Sequence, residues 1–311
     1  YGLVTYQTAY LKANYPEEYL AALLTSVSHT LEKAAVYLAE CRSMGITVEV
    51  PDINRSAANF TPGDKSIIFG LAAVRNVGEG LVDLIVTERE ARGPFGPREI
   101  DGRPIDAFDD FCLRVPYEVL NKRTIESIIK AGGFDTCGLP RKGLLLRMEE
   151  RIDHIVARRR EHDMGVMSLF GSGGDEPTID EHPVTDVEFD KAERLSHEKE
   201  MLGLYVSDHP LMGYEQVLAR RTDGPLSELT ELSDGTSRTI GGVVTNLQRK
   251  WTKKGDLMAI FQLEDLQSQI EVMVFPRTMT EHGHKLNDDM LVVVNGRVDQ
   301  RDDMPKFIAF E

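Results

Sequence analysis

Three stretches of this 311-residue sequence combine residue types that could do chemistry. The first is Val77-Gly78-Glu79-Gly80, which follows Phe69 to Asn76 and leads into Leu81, Val82, Leu84 and Ile85 at helical spacing. A short helix, a Gly-x-Gly turn and a second helix spell a helix-hairpin-helix. Glycine suits that turn because it accepts positive φ and lets backbone N–H groups approach a phosphate closely. The second helix then presents its positive end to the same phosphate. A less regular copy follows, with a helix over Thr124 to Ala131, a turn at Gly132-Gly133-Phe134 and a helix from Lys142 onward. One glycine turn alone is weak, since glycine ends helices generally; a tandem pair points to duplex backbone.

The second stretch is Arg249-Lys250-Trp251-Thr252-Lys253-Lys254-Gly255, with four cations around the chain's single tryptophan. An indole to stack on bases and cations for phosphates suit single-stranded nucleic acid; the plain alternative is a solvated hairpin tip. The third is Met164 to Gly171, where Met167, Ser168, Leu169 and Phe170 precede an acidic, Gly- and Pro-bearing tract. Bulky apolar side chains on such a segment suit a partner with a pocket, or else fold back onto their own domain.

No residue is assigned to catalysis or to a metal. His209 lacks the context of a serine or cysteine nucleophile and reads as part of a capped, packed loop. His282 and His284 read as a polar surface turn. Cys41, Cys112 and Cys137 form no CxxC pair, which argues against structural zinc and disulfides and fits a reducing compartment. No apolar run is long enough to span a bilayer and no signal peptide is visible, so a soluble, cytoplasmic protein without membrane contact is expected. The chain opens on Tyr1 rather than Met, as a fragment would.

The formal net charge of −15 discourages nucleic-acid binding only if it is evenly spread. It is not. Residues 161–200 hold twelve acids against Lys191, Arg194 and Lys199, which reads as a solvated linker. Arg141, Lys142, Arg147, Arg151 and Arg158 to Arg160 form a basic region that is a candidate for phosphate contact.

The elements that must position these residues change character along the chain. The first 45 residues read as helical, with Pro16 at a first helical position and Thr30 as a later cap. There Tyr1, Tyr6, Tyr10 and Tyr15 are expected to pack in a helical core, with stacking on bases as the alternative. Val48 to Thr61 reads as irregular and extended. Ala192 to Leu204 forms an amphipathic helix. From Thr239 the period becomes two: Thr239 to Leu247, Leu257 to Leu263, Ile270 to Phe275, Leu291 to Val298 and Phe307 to Phe310 are strands, with Arg277 to His284 between the third and fourth. Five strands so arranged describe an OB-fold barrel. The fold class is therefore multidomain α+β: helices and helix-hairpin-helix first, an OB barrel last.

Several blocks together carry a resemblance. Tyr1-Gly2-Leu3-Val4-Thr5-Tyr6-Gln7-Thr8-Ala9-Tyr10-Leu11-Lys12, Tyr37-Leu38-Ala39-Glu40-Cys41-Arg42-Ser43-Met44-Gly45-Ile46, Pro51-Asp52-Ile53-Asn54-Arg55-Ser56 and Gly203-Leu204-Tyr205-Val206-Ser207-Asp208-His209-Pro210-Leu211 occur in order. The chain resembles the bacterial replicative DNA polymerase III alpha subunit, essentially end to end. The resemblance implies the end of a fingers domain over 1–65 and a tandem helix-hairpin-helix, clamp-binding domain over 66–171. An acidic linker and connecting helix over 172–236 and an OB domain over 237–311 would follow. It implies DNA, the sliding clamp and other holoenzyme subunits as partners, with Met167 to Phe170 as the clamp motif. Val166 stands where that motif usually opens with Gln. It also places the palm domain and its Mg²⁺-binding aspartates before Tyr1, so no cofactor is expected here and the piece alone is expected not to polymerise. An error-prone paralogue of the same family, a non-enzymatic helix-hairpin-helix and OB scaffold, and a tRNA-binding OB module remain alternatives.

Overall fold

The computed structural model describes residues 2–28, 30–100, 103–163, 184–266, 268–300 and 305–311. The chain divides into two compact units, Tyr1–Ser207 and Asp208–Glu311. Each is built around its own apolar cluster.

The first unit opens with three helices, α1 (Gly2–Asn14), α2 (Pro16–Ser26) and α3 (Leu31–Ser43). Pro16 starts α2, where its missing N–H costs nothing, and Glu17 and Glu18 sit in the first turn. Thr30 precedes α3 but makes no side-chain capping bond. Leu20, Leu24, Leu38 and Cys41 enter the core. Helix α1 buries nothing: Tyr6 is 67% exposed, and Tyr10 and Tyr15 are also exposed. The expected core packing of these tyrosines is thus not seen, because the apolar face of α1 meets no covering element within the described residues. Tyr1 lies outside them.

Part of the stretch read as irregular pairs into a small sheet of β1 (Thr47–Glu49), β2 (Thr61–Pro62) and β3 (Ser66–Ile68). Strand β1 runs parallel to β3, a pairing whose closing contact lies outside any local sequence window. Then come α4 (Glu79–Arg92), a hairpin of β4 (Arg98–Ile100) and β5 (Arg103–Ile105), α5 (Ala107–Arg114) and α6 (Lys122–Ala131). Long α7 (Arg141–Asp163) and α8 (Lys191–Leu202) complete the unit. Phe134, just past α6, meets Phe108 and Phe111 edge-on at centroid separations of 5.4 and 5.3 Å, which locks α5 against the second glycine turn.

The basic region on α7 is largely consumed inside this unit. Arg141 is 3% exposed and binds Asp135 and Glu198; Arg151 is buried with Nη2 2.8 Å from Asp109. Arg159 donates to the Cys112 and Val115 carbonyls and lies over the Tyr117 ring. These three arginines hold helices together and are not free for phosphate. The part of the acidic tract over residues 184–200 likewise belongs to the packed unit, with Leu195 and Glu198 buried.

The second unit begins with α9 (Glu215–Arg221). A closed five-stranded barrel follows, in the order β10-β8-β7-β6-β9, from β6 (Ser237–Trp251), β7 (Leu257–Glu264), β8 (Gln269–Val274), β9 (Leu291–Asp299) and β10 (Lys306–Ala309). Helix α10 (Pro276–His282) lies between β8 and β9, as an OB fold requires. Alternation delivers Ile240, Val244, Phe261, Leu263, Val272, Val298 and Phe307 to the interior. Strand β6 serves both sides of the barrel, pairing with β9 through its first half and with β7 through its second. A bulge between Thr245 and Gln248, with Asn246 at φ 55°, provides the bend. His209 is buried, and its Nδ1 accepts from the Leu211 N–H, so it is a packed loop residue.

Candidate nucleic-acid interface

At the first hairpin a short 3₁₀ turn, Leu71–Ala73, is followed by the Val74–Gly78 bend and by α4. The glycines do not take the positive φ expected of them. Gly78 is extended at φ −88°, and the left-handed residue is Asn76 at φ 64°. Asn tolerates that conformation better than most non-glycine residues; here it is held from across the fold, with Nδ2 donating to the Ser127 hydroxyl at 3.0 Å and the Asn76 carbonyl accepting from Thr124 Oγ1. A Cβ at Gly78 or Gly80 would meet none of the described residues within 4 Å. Neither backbone geometry nor internal packing therefore demands glycine there. Gly78, Glu79 and Gly80 are exposed and no side chain caps α4, so the first amides of a 14-residue helix face outward. Such an end attracts anions.

Val77 contributes only backbone, since its side chain is buried. Two cations absent from the sequence reading stand nearby. Arg75 is exposed beside Asn76, and Arg123 is exposed one residue before Thr124, which holds the turn. No local signal marks Arg123; only the fold brings α6 beside the first turn. Glu79 opposes an incoming phosphate by its charge.

The second glycine turn has a different basis. Gly132 is left-handed at φ 95° and ends α6, and a Cβ there would strike the Arg141 guanidinium. A Cβ on Gly133 would strike Ile128, and its carbonyl accepts from the Ile53 N–H at 3.0 Å. Both are buried. Their glycine requirement is internal, which corrects the expectation that they touch a phosphate.

In the barrel, Arg249, Lys250 and Trp251 are not loop residues but the end of β6, paired with Ala259, Met258 and Leu257. The turn proper is Thr252 to Asp256, closed by the Thr252 N–H on the Asp256 carbonyl and by Gly255 at φ 84°. Strand alternation puts Arg249 and Trp251 on one face and Lys250 on the other. Arg249 donates to the Leu286 carbonyl at 2.7 Å and so is tied down. Trp251 is 73% exposed, with no ring or cation partner among the described residues. Lys250, Lys253 and Lys254 are exposed around it. A paired strand end carrying a bare indole near exposed cations can stack a base and hold its phosphates. Met167, Ser168, Leu169 and Phe170 lie outside the described residues.

Comparison with known proteins finds relatives along nearly the whole chain. The chain is 41% identical to the DNA polymerase III subunit alpha of Mycobacterium tuberculosis over 316 residues, covering 99% of this chain. It is 36% identical to that of Thermus aquaticus over 307 residues and 37% identical to that of Pseudomonas aeruginosa over 321, covering 98% and 97% of this chain. This chain is homologous to part of the DNA polymerase III alpha subunit. It spans 26%, 24% and 26% of the lengths of those three relatives.

Two family models match within it. One, described as a helix-hairpin-helix motif, covers residues 45–144; the other, an OB-fold nucleic acid binding domain, covers residues 239–311. The first hairpin falls within the first match, which ends at residue 144, four residues into α7. The whole barrel from β7 onward and the Trp251 strand end fall in the second. The hairpin reading and the barrel reading thus hold together with the polymerase III alpha lineage. Among the described residues no helix is long and apolar enough to cross a membrane.

Proposed function

We propose that this chain is the DNA-handling part of a replicative DNA polymerase whose full-length form carries out DNA-templated DNA synthesis. The carrying observation is the open end of α4, where no described residue packs against Gly78 or Gly80 and neither takes a positive φ. A glycine pair where neither strain nor packing explains it fits close approach by an external group. In a helix-hairpin-helix that group is a duplex phosphate, gripped without reading sequence. Arg75 and Arg123 add the charge that backbone amides lack. The strand end at Trp251 takes single-stranded template by stacking.

Met167, Ser168, Leu169 and Phe170 dock the sliding clamp in this reading. Burial of Leu169 and Phe170 is worth roughly 3–6 kcal/mol gross; ordering the segment takes part of that back. Tethering on DNA raises the effective affinity of so modest a contact. Other holoenzyme subunits complete the set of partners. Nucleotidyl transfer belongs to a palm domain outside these 311 residues, whose carboxylates hold Mg²⁺ in a two-metal mechanism. The chain by itself binds and positions, and it does not polymerise.

Fluorescence anisotropy with a labelled duplex and a labelled single strand, each titrated across a range of salt, tests this. Affinity for both should fall steeply with salt, as counterion release requires. A flat salt response, or no binding of either nucleic acid, would overturn the reading.

A further inference from the structure

The block Gly203 to Leu211 belongs to neither DNA contact, yet it holds the boundary between the two compact units, with Ser207 on one side and Asp208 on the other. Its upstream end is bonded to both hairpins. The Met201 carbonyl, near the end of α8, accepts from the Arg75 N–H of the first hairpin at 2.9 Å. Glu198, one turn earlier, pairs with Arg141 Nη1 of the second at 3.0 Å. The same carboxylate reaches forward along the chain. Ser207 donates its hydroxyl to Oε1 at 2.7 Å and its N–H to Oε2 at 3.0 Å. Between these points Gly203 turns the chain at φ 78° and Val206 enters the core. The Tyr205 carbonyl accepts from Arg42 Nη2 at 3.0 Å.

The downstream end is ordered in the same way. The His209 N–H donates to the Asp208 carboxylate and the Leu211 N–H to His209 Nδ1. The Met212 N–H donates to the His209 carbonyl and the Tyr214 N–H to the Leu211 carbonyl, which leads straight into α9. Helix α9 is seated on the barrel. A Cβ at Gly241 of β6 would strike Leu218 and Thr222, and Asp223 just past α9 exchanges two bonds with Thr239 of β6. Ser207 is thus bonded into the first unit and His209 into the opening turn of the second. Two residues span at most about 7 Å, so the passage carries no slack.

We propose that Gly203 to Leu211 is a short coupling through which the open end of α4 and the Trp251 strand end engage one DNA together, with Glu198 and Ser207 as its positioning residues. The inference rests on the two DNA contacts proposed above and adds their linkage. A second contact on a short tether is engaged at high effective concentration, and that concentration falls as the tether lengthens. A loose linker would leave the two contacts close to independent. The bond from Arg75 to Met201 starts the coupling at the duplex-binding turn itself, and the seat of α9 on β6 ends it on the strand that carries Trp251.

The test is anisotropy with a blunt duplex, a single strand, and a duplex carrying a single-stranded extension. The full chain is compared with two variants. One places a flexible Gly/Ser insert of about 20 residues between Ser207 and Asp208 and keeps every bond named above. The other, Ser207→Gly, removes the hydroxyl bond and frees the backbone without lengthening the chain. The unaltered chain should prefer the extended duplex to either simpler DNA by about tenfold or more, and the insert should lower that preference about tenfold. Ser207→Gly should lower it less, and neither variant should alter affinity for the simpler DNAs. Melting curves confirm that each variant is folded. If the unaltered chain shows no preference, or the insert leaves it intact, the coupling is wrong and the DNA contacts stand. A preference that falls with the insert but survives Ser207→Gly would strip Glu198 and Ser207 of the positioning role. An insert that weakens binding of a simpler DNA would make the block part of a binding surface and overturn the coupling. If no form binds either simpler DNA, the proposed function fails as well.

Discussion

Asn76 on the first hairpin and Ser127 on α6 of the second are joined by a 3.0 Å hydrogen bond, so one hairpin's turn is set by the other hairpin's helix. The tandem arrangement is therefore a single mechanical unit. The open end of α4 is aimed by a residue 51 positions away in sequence.

Replacing Asn76 tests that coupling. Asn76→Ala puts a residue that tolerates the left-handed region less well at φ 64° and removes the bond to Ser127. A loss of about 2 kcal/mol in the first unit's unfolding is expected. Asn76→Gly keeps the backbone angle and should cost about half as much. Urea titration followed by circular dichroism distinguishes the two; equal costs would show that the left-handed angle is unimportant.

Trp251→Ala separates the two DNA contacts. Removing a bare stacking ring should weaken single-strand binding by about 1–3 kcal/mol and leave duplex affinity unaltered. Lys253→Ala combined with Lys254→Ala should instead lower the salt slope of single-strand binding, because those side chains act by charge. Anisotropy with both nucleic acids reads each outcome.

Glu198 is fully buried, accepting from the Ser207 N–H and hydroxyl and pairing with Arg141 Nη1 at 3.0 Å. Glu198→Ala strands a guanidinium that is 3% exposed with only Asp135 to balance it. A loss of about 3 kcal/mol is expected, with Glu198→Gln milder because it still accepts hydrogen bonds. Thermal melts of the two variants rank them.

Two thiols supply a pH signature. Burial pushes Cys41 and Cys137 from an ordinary 9.0 up to about 11. The folded state therefore holds protons that the unfolded state has released. Below about pH 9 both states are protonated and these groups give no pH dependence; between about 9 and about 11 the unfolded state ionises first and stability falls. A Cys41→Ala, Cys137→Ala variant should show a shallower decline over that window in urea unfolding. An identical decline would assign the effect to other groups.

The clamp contact is checked by calorimetry against the cognate sliding clamp, beside a Leu169→Ala, Phe170→Ala variant. Saturable binding is expected for the unaltered chain and none for the variant, with Val166 tolerated in place of Gln. Binding that survives the double substitution would move the contact elsewhere.

Residue order alone determined much of this protein. Period-two alternation from Thr239 predicted all five barrel strands, because a strand with one face in a core must alternate whatever surrounds it. Gly132 marked the second turn because only a left-handed residue could end α6 there, whereas at the first turn that conformation falls to Asn76 and not to Gly78 or Gly80. What order could not decide was which polar groups find one another. Arg141 and Arg151 looked like free cations until Glu198 and Asp109, far away in the chain, were brought against them. Gly78 and Gly132 looked alike, yet one faces open space and the other an arginine. Periodicity reports which face of an element is buried. The partner waiting on that face is set by packing between distant segments, so only the tertiary structure could tell an anchoring charge from a binding one.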